Sequence, residues 1–194
     1  MLDEKKVKES KKRVEQMLKS GEIVKEKDGK FVEFFLDNAK KSFDSARLLF
    51  AVSTENGLRK ATGFQDFNGF LWTVNTSYYS MFYMARALLE SSGIKIKTEH
   101  SVHLASFDAL IYYFYATGKI QKHIIEEFQE AGAESYEVLG KEKAKSLVED
   151  YFSEREKRSR FTYEMGEIAL QNKAQTSLDR AKRFNEALRK MIEL

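Results

Sequence analysis

Asn75-Thr76-Ser77-Tyr78-Tyr79-Ser80-Met81-Phe82-Tyr83-Met84-Ala85-Arg86-Ala87-Leu88-Leu89 decides the fold of this chain. Tyr78, Phe82, Ala85 and Leu89 recur at the spacing of one helix face, and Tyr79, Met81 and Leu88 widen that face, so the segment is packed on several sides. A helix of that kind has to be surrounded by others. The stretch therefore predicts the central helix of a bundle, running from about Phe70 to Ser92 and stopped at Gly93.

On its N-terminal side, Phe35, Ala39, Phe43, Ala46, Leu49 and Phe50 follow helical spacing between Phe31 and about Ser53, with Asp37, Lys40, Lys41 and Asp44 opposite them. Thr54 to Asn68, with Gly57 and Gly63, reads as a loop. On its C-terminal side, Ile94 to Glu99 reads as a loop, and Ser101 is placed to cap a helix through Leu104, Phe107, Leu110, Ile111 and Phe114 to Gly118. A further helix is expected from about Ile120 to Ala131 on Ile124, Ile125 and Phe128. A loop near Gly132 to Gly140, a helix from Lys141 to about Phe161 and a break over Glu164 to Asn172 follow. Lys173 onward resumes the period with Ala174, Leu178, Ala181, Phe184, Leu188 and Ile192.

Residues 1–30 stand apart as an N-terminal helical arm. Leu2, Val7, Val14, Met17 and Leu18 make a thin apolar face over Leu2 to Lys19, Ser20-Gly21 ends it, and a polar turn over Lys25 to Gly29 follows. Residues 31–194 are expected to form the bundle domain. With no proline among 194 residues, no run of strand period and no internal repeat, the fold class is all-α. The expected architecture is an antiparallel helical bundle of four to five main helices plus short extra helices.

Composition removes several chemistries. Cysteine is absent, which excludes disulfides, thiolate nucleophiles and Cys-based zinc sites. A net charge of +3 permits contact with nucleic acid without demanding it. No apolar run approaches the roughly 20 residues of a membrane span, and the charged start Met1-Leu2-Asp3-Glu4-Lys5-Lys6 is unlike a signal peptide, so the expectation is a cytoplasmic protein without membrane contact. There is no phosphate-binding glycine loop, no dinucleotide fingerprint, no nucleophile elbow and no His-Glu-x-x-His helix. No cofactor is implied.

The charged run Glu154-Arg155-Glu156-Lys157-Arg158-Ser159-Arg160-Phe161-Thr162-Tyr163 puts three arginines within six positions near a helix end. Such cations favour the negative end of a helix dipole, and Arg158 can pair with Glu154 one turn earlier. The alternative is a phosphate-binding patch of Arg155, Arg158 and Arg160 with Tyr163 beside it, a combination suited to RNA. Tyr79 and His100 join these as candidate RNA or nucleotide contacts. His100 and His103 lie three apart but lack a third ligand at a convincing spacing, so no metal site is assigned; His100 reads as a loop anchor and His103 as a packing-boundary residue. His123 and the pair Glu126 and Glu127 read as solvated. Tyr112, Tyr113 and Tyr115 cannot all point inward from one helix, so at least one is expected to face a loop, a groove or a second subunit.

From about Phe31 to the C-terminus the chain resembles the HEPN family, the higher eukaryote and prokaryote nucleotide-binding helical domains. The resemblance rests on Ser77-Tyr78-Tyr79-Ser80-Met81-Phe82-Tyr83-Met84-Ala85-Arg86-Ala87-Leu88-Leu89, on Gly93, on Thr98-Glu99-His100-Ser101, on Arg158-Ser159-Arg160-Phe161-Thr162-Tyr163 and on the closing helix Ala174 to Ile192. It implies a small helical bundle that forms a homodimer and that, in many members, is encoded with a minimal nucleotidyltransferase partner as a toxin and antitoxin pair. Active members are metal-independent ribonucleases in which the Arg and His of an R-x4-6-H motif meet across the dimer interface. Arg158 matches the motif Arg, with Arg155 as the alternative register. Four residues separate Arg158 from Tyr163 where the family has His, and no His follows in the chain. A tyrosine with a pKa near 10 is a poor base at neutral pH.

Three functions follow. The first is a HEPN-type module that binds RNA, a nucleotide or a nucleotidyltransferase partner. The second is a ribonuclease using Arg158 and Tyr163 as catalytic residues, with His100 or His103 supplying the base. The third is a protein-interaction scaffold without catalysis.

Overall fold

A computed structural model describes residues 2–98, 101–149 and 160–193, the side chains of 141–149 and 160–167 excepted. The described residues form seven α-helices and one two-stranded sheet, an all-α bundle in which α4 (Phe70–Ser91) is the axis. As its all-round apolarity requires, α4 packs against α2 (Val32–Thr54), α5 (Val102–Leu110), α6 (Lys122–Glu149) and α7 (Arg160–Ile192). Met81, Ala85, Ala87, Leu88 and Leu89 are almost wholly removed from water and join Leu110, Ile111, Ile125, Phe184 and Leu188 in the interior. Ser80 adds a polar tie at the centre: its hydroxyl donates to the Ala39 carbonyl of α2 at 2.7 Å and accepts from Asn185 Nδ2 of α7 at 2.7 Å. One α4 side chain thus sets the height of two neighbours.

The N-terminal arm is built into this body. Asp3 caps α1 (Glu4–Ser20) by accepting the Lys6 amide at 2.8 Å, and α1 then packs across α5 and the segment after it. Arg13 of α1 reaches Asp108 of α5 with two hydrogen bonds, Nε to Oδ2 at 2.6 Å and a terminal nitrogen to Oδ1 at 2.8 Å, and Asp108 is fully buried. The Leu2 amide donates to Glu126 Oε1 at 2.8 Å, while Leu2, Val14 and Ile23 share one core with Leu88 and Leu110. β1 (Ile23–Lys25) pairs antiparallel with β2 (Ile94–Ile96), with Ile23 opposite Ile96 and Lys25 opposite Ile94. These strands carry no alternating pattern long enough to read, and only the approach of two distant segments creates them.

Several boundaries differ from the sequence reading. The expected loop Thr54 to Asn68 contains a short helix, α3 (Asn56–Thr62). Helix α6 runs unbroken through Gly132 and Gly140, where a loop was expected, because Phe128, Ala131, Ser135 and Val138 are buried on one face, and that packing outweighs the roughly 1 kcal/mol that each helical glycine costs. Helix α7 likewise runs through Glu164 to Asn172; of the helix expected from Lys141 to about Phe161, residues 141–149 belong to α6 and Arg160 and Phe161 to α7, and residues 150–159 lie outside the described residues. Ser101 adopts a left-handed conformation with φ 61° and makes no side-chain cap to α5. After Leu110 the chain continues as a π-helical turn, Ile111–Tyr115. Glu126 and Glu127 are not solvated: Glu126 holds the Leu2 amide, and Glu127 accepts from Arg183 of α7 at 2.7 Å.

Candidate functional site

The opening with the most apolar lining among the described residues lies where α4, α5 and α6 diverge. It is a groove of about 400 Å³ bordered by Tyr78 and Tyr79 from α4, His103 and Phe107 from α5, and Phe128 and Tyr136 from α6. Each helix contributes by its own period. Tyr79 sits on an exposed flank of α4 with the half-buried Tyr78 beside it, His103 and Phe107 are one turn apart, and Phe128, Gly132 and Tyr136 form an i, i+4, i+8 row. Tyr136 is 82 % exposed and Tyr79 39 %, so two rings stand at the mouth.

At the floor, the Tyr78 hydroxyl and His103 Nδ1 are 2.8 Å apart. The Tyr78 ring stacks on His103 at 5.5 Å and on Phe128 at 5.9 Å between centroids, and His103 is pressed to 4.1 Å against Phe82. Burial, and secondarily the neighbouring Tyr79, push the Tyr78 phenol up to about 12, so it keeps its proton. Burial, and secondarily the charge of Arg86, hold His103 below the usual histidine range, so its ring is neutral at neutral pH. Two tautomers satisfy this pair. Either the phenol donates to Nδ1 and Nε2 carries hydrogen, or Nδ1–H donates to the phenol oxygen and Nε2 is a free acceptor.

Two features set how closely α6 approaches α4 beside the groove. Gly132 lets α6 pass Tyr78 closely: a Cβ there would lie 3.2 Å from Tyr78 Cε2. Farther along, the Ser135 hydroxyl donates to Asn75 Oδ1 in a buried bond that clamps α6 to α4. Arg86, the one charge in the central stretch, is half-buried with its guanidinium 4.7 Å from the Phe35 ring centroid, and burial lowers its pKa. It donates to the Ile96 carbonyl at 3.5 Å, tying α4 to β2.

Of the residues expected to act, Tyr79 lies in the groove. Arg155, Arg158 and His100 lie outside the described residues, and Arg160 and Tyr163 fall in the first turns of α7 with side chains outside the description. His103, read as a packing-boundary residue, is a wall of the groove as well. Tyr136 and Gly132 were missed because both fell in an expected loop; the row Phe128, Gly132, Tyr136 was the signal that a helix ran through them. Among the described residues, no three of His, Asp and Glu gather as metal ligands would. No family model, no curated protein and no solved structure matches the chain.

Proposed function

We propose that this chain is a HEPN-type homodimeric module that binds RNA or a nucleotide by stacking a base in the groove between α4, α5 and α6. The observation that carries the reading is the groove itself: an opening of about 400 Å³ with exposed rings at its mouth and a neutral Tyr78–His103 pair at its floor. Rings of this kind hold bases at about 1 to 3 kcal/mol each, whatever the sequence. The arginines at 155, 158 and 160 supply phosphate contacts in this reading, as the resemblance implies for Arg158. A minimal nucleotidyltransferase is the protein partner to test.

The test is a titration of the full chain with AMP, UMP and a short single-stranded RNA, together with a mass measurement in solution. A dimer whose affinity falls about 5- to 150-fold in Tyr136→Ala is the expected result, since each stacked base contributes about 1 to 3 kcal/mol and this exposed side chain contributes little to the fold. A strictly monomeric protein that ignores RNA and nucleotides overturns it.

The neutral imidazole of His103 favours a second reading, metal-independent RNA cleavage. In the tautomer that leaves Nε2 unprotonated, His103 can take the proton from a ribose 2′-hydroxyl as that oxygen attacks phosphorus and the 5′-oxygen leaves, with Arg158 stabilising the phosphate charge. Cleavage of total RNA in the presence of chelator that disappears in both Arg158→Ala and His103→Ala is its signature. Cleavage unchanged in Arg158→Ala removes it.

A further inference from the structure

The net charge of the chain is concentrated in the arm. Residues 1–30 hold ten Lys and Arg against seven Asp and Glu, and the other 164 residues hold 23 of each, so the entire excess of +3 belongs to the arm. The fold carries that excess to one place. Because α1 packs on α5 and the π-helical turn while β1 pairs with β2, arm lysines flank Ile111–Tyr115 and meet Lys119 and Lys122 from the chain that follows it. A groove of about 330 Å³ is lined by Lys25, Lys27 and Lys119 with Tyr113 and Phe114. A second, of about 510 Å³, is lined by Lys8, Lys11, Lys122 and Tyr115, with Asp3 and Glu4 at its border.

The first groove has no carboxylate in its lining. Glu26 and Asp28, the acids nearest Lys25 and Lys27 in sequence, are drawn away by Lys95, whose Nζ lies 2.6 Å from Asp28 and 3.6 Å from Glu26. The Lys25 ammonium sits 5.7 Å from the Tyr113 ring centroid and that of Lys119 6.0 Å from Phe114, which places two cations over adjacent rings. The Tyr113 hydroxyl beneath them is buried with no hydrogen-bond partner. Gly93, with φ 73°, gives the Lys27 stem room to cross the floor, since a Cβ there would lie 2.6 Å from Lys27 Cγ.

We infer that this face binds the backbone of single-stranded nucleic acid, with a phosphate seated among Lys25, Lys27 and Lys119 and the strand continuing past Tyr115 toward Lys8 and Lys11. Lysines are point charges that fix a phosphate without reading sequence, and a concavity of this size takes one nucleotide and not a duplex. An anionic bilayer would attract the same lysines, but none of the exposed large apolar side chains among the described residues lines either groove, so nothing here would insert. No residue of this face lines the aromatic groove, and the inference stands apart from the reading given for that groove.

The experiment is fluorescence anisotropy of labelled oligouridylate and oligothymidylate with the full chain, from about 50 to 200 mM salt. Lys25→Gln/Lys27→Gln/Lys119→Gln, three exposed positions, should leave the thermal midpoint unchanged. It should weaken binding about tenfold or more at low salt and flatten the slope of log K against log salt by about 2, near 0.7 for each lost contact on a single strand. Lys8→Gln/Lys11→Gln should flatten it by a smaller step, and Tyr136→Ala should keep the wild-type slope. Equal effects on the ribo and deoxy strands support a backbone contact. Wild-type affinity and slope in the triple variant overturn the inference, as does a wild-type chain that ignores both strands, whether or not it binds phosphatidylserine vesicles. Binding lost in Tyr136→Ala but kept in the triple variant assigns it to the aromatic groove instead.

Discussion

Arg13→Ala separates an arm that belongs to the core from one that merely rests on it. Asp108 is fully buried and takes two hydrogen bonds from Arg13, so truncating Arg13 strands a buried carboxylate with no cation beside it. Breaking a buried pair in this way costs about 3 to 5 kcal/mol. The Arg13 side chain is 39 % exposed, which lets water reach the gap and sets the expectation at the low end, about 3 kcal/mol. For a chain of this length that lowers the thermal midpoint by about 6 to 12 °C. Urea unfolding followed by circular dichroism measures it, and a double-mutant cycle isolates the pair. Asp108→Leu alone leaves an arginine that can turn to solvent, and Arg13→Ala/Asp108→Leu removes both charges, so the double variant should be more stable than the sum of the single losses predicts. A cost below about 1 kcal/mol for Arg13→Ala, the range of an exposed ion pair, refutes the reasoning and would mean that α1 is held by its apolar face alone.

His103 has a folded-state pKa below the unfolded value near 6.5, so the unfolded chain binds the proton more readily; the stability His103 contributes is complete above about pH 6.5 and is lost as pH falls through the folded-state value. Urea midpoints should therefore drop as pH falls from about 6.5 through that value and drop less in His103→Asn, and a His103 ring-proton titration centred at or above about 6.5 contradicts this. Gly93→Ala should cost at least about 1 kcal/mol, because the position has φ 73° and the added methyl meets Lys27; a thermal midpoint equal to wild type would show that the β1–β2 junction relaxes freely.

What governs the aromatic groove is its lining rather than any single reactive group. Tyr78 and His103 are both neutral, Phe128 and Phe82 are stacked against them, and Tyr136 reaches into solvent, so the groove offers rings and one hydrogen-bonding pair. The lysine face offers charge with few rings. A nucleic-acid strand has both a stackable base and a charged backbone; in the two proposals the aromatic groove takes the first and the lysine face the second, so substitutions in one should not change the salt response of the other.

The bundle was legible because helix formation and amphipathic burial are local. The all-round apolar stretch from Tyr78 to Leu89 reads as an interior helix, Gly93 as its stop and Phe35 to Phe50 as an amphipathic helix, and all three are found. Tertiary structure decided the rest. Whether Gly132 and Gly140 break α6 depended on packing of Phe128, Ser135 and Val138 against helices far away in sequence, and that continuity carries Tyr136 to the groove. The pairing of Ile23–Lys25 with Ile94–Ile96, the Arg13–Asp108 bonds and the gathering of arm lysines around Tyr113 all join residues about 70 to 95 positions apart. Periodicity reports which face of an element is buried; it holds no record of which partner buries it, and both surfaces of interest here are made by partners.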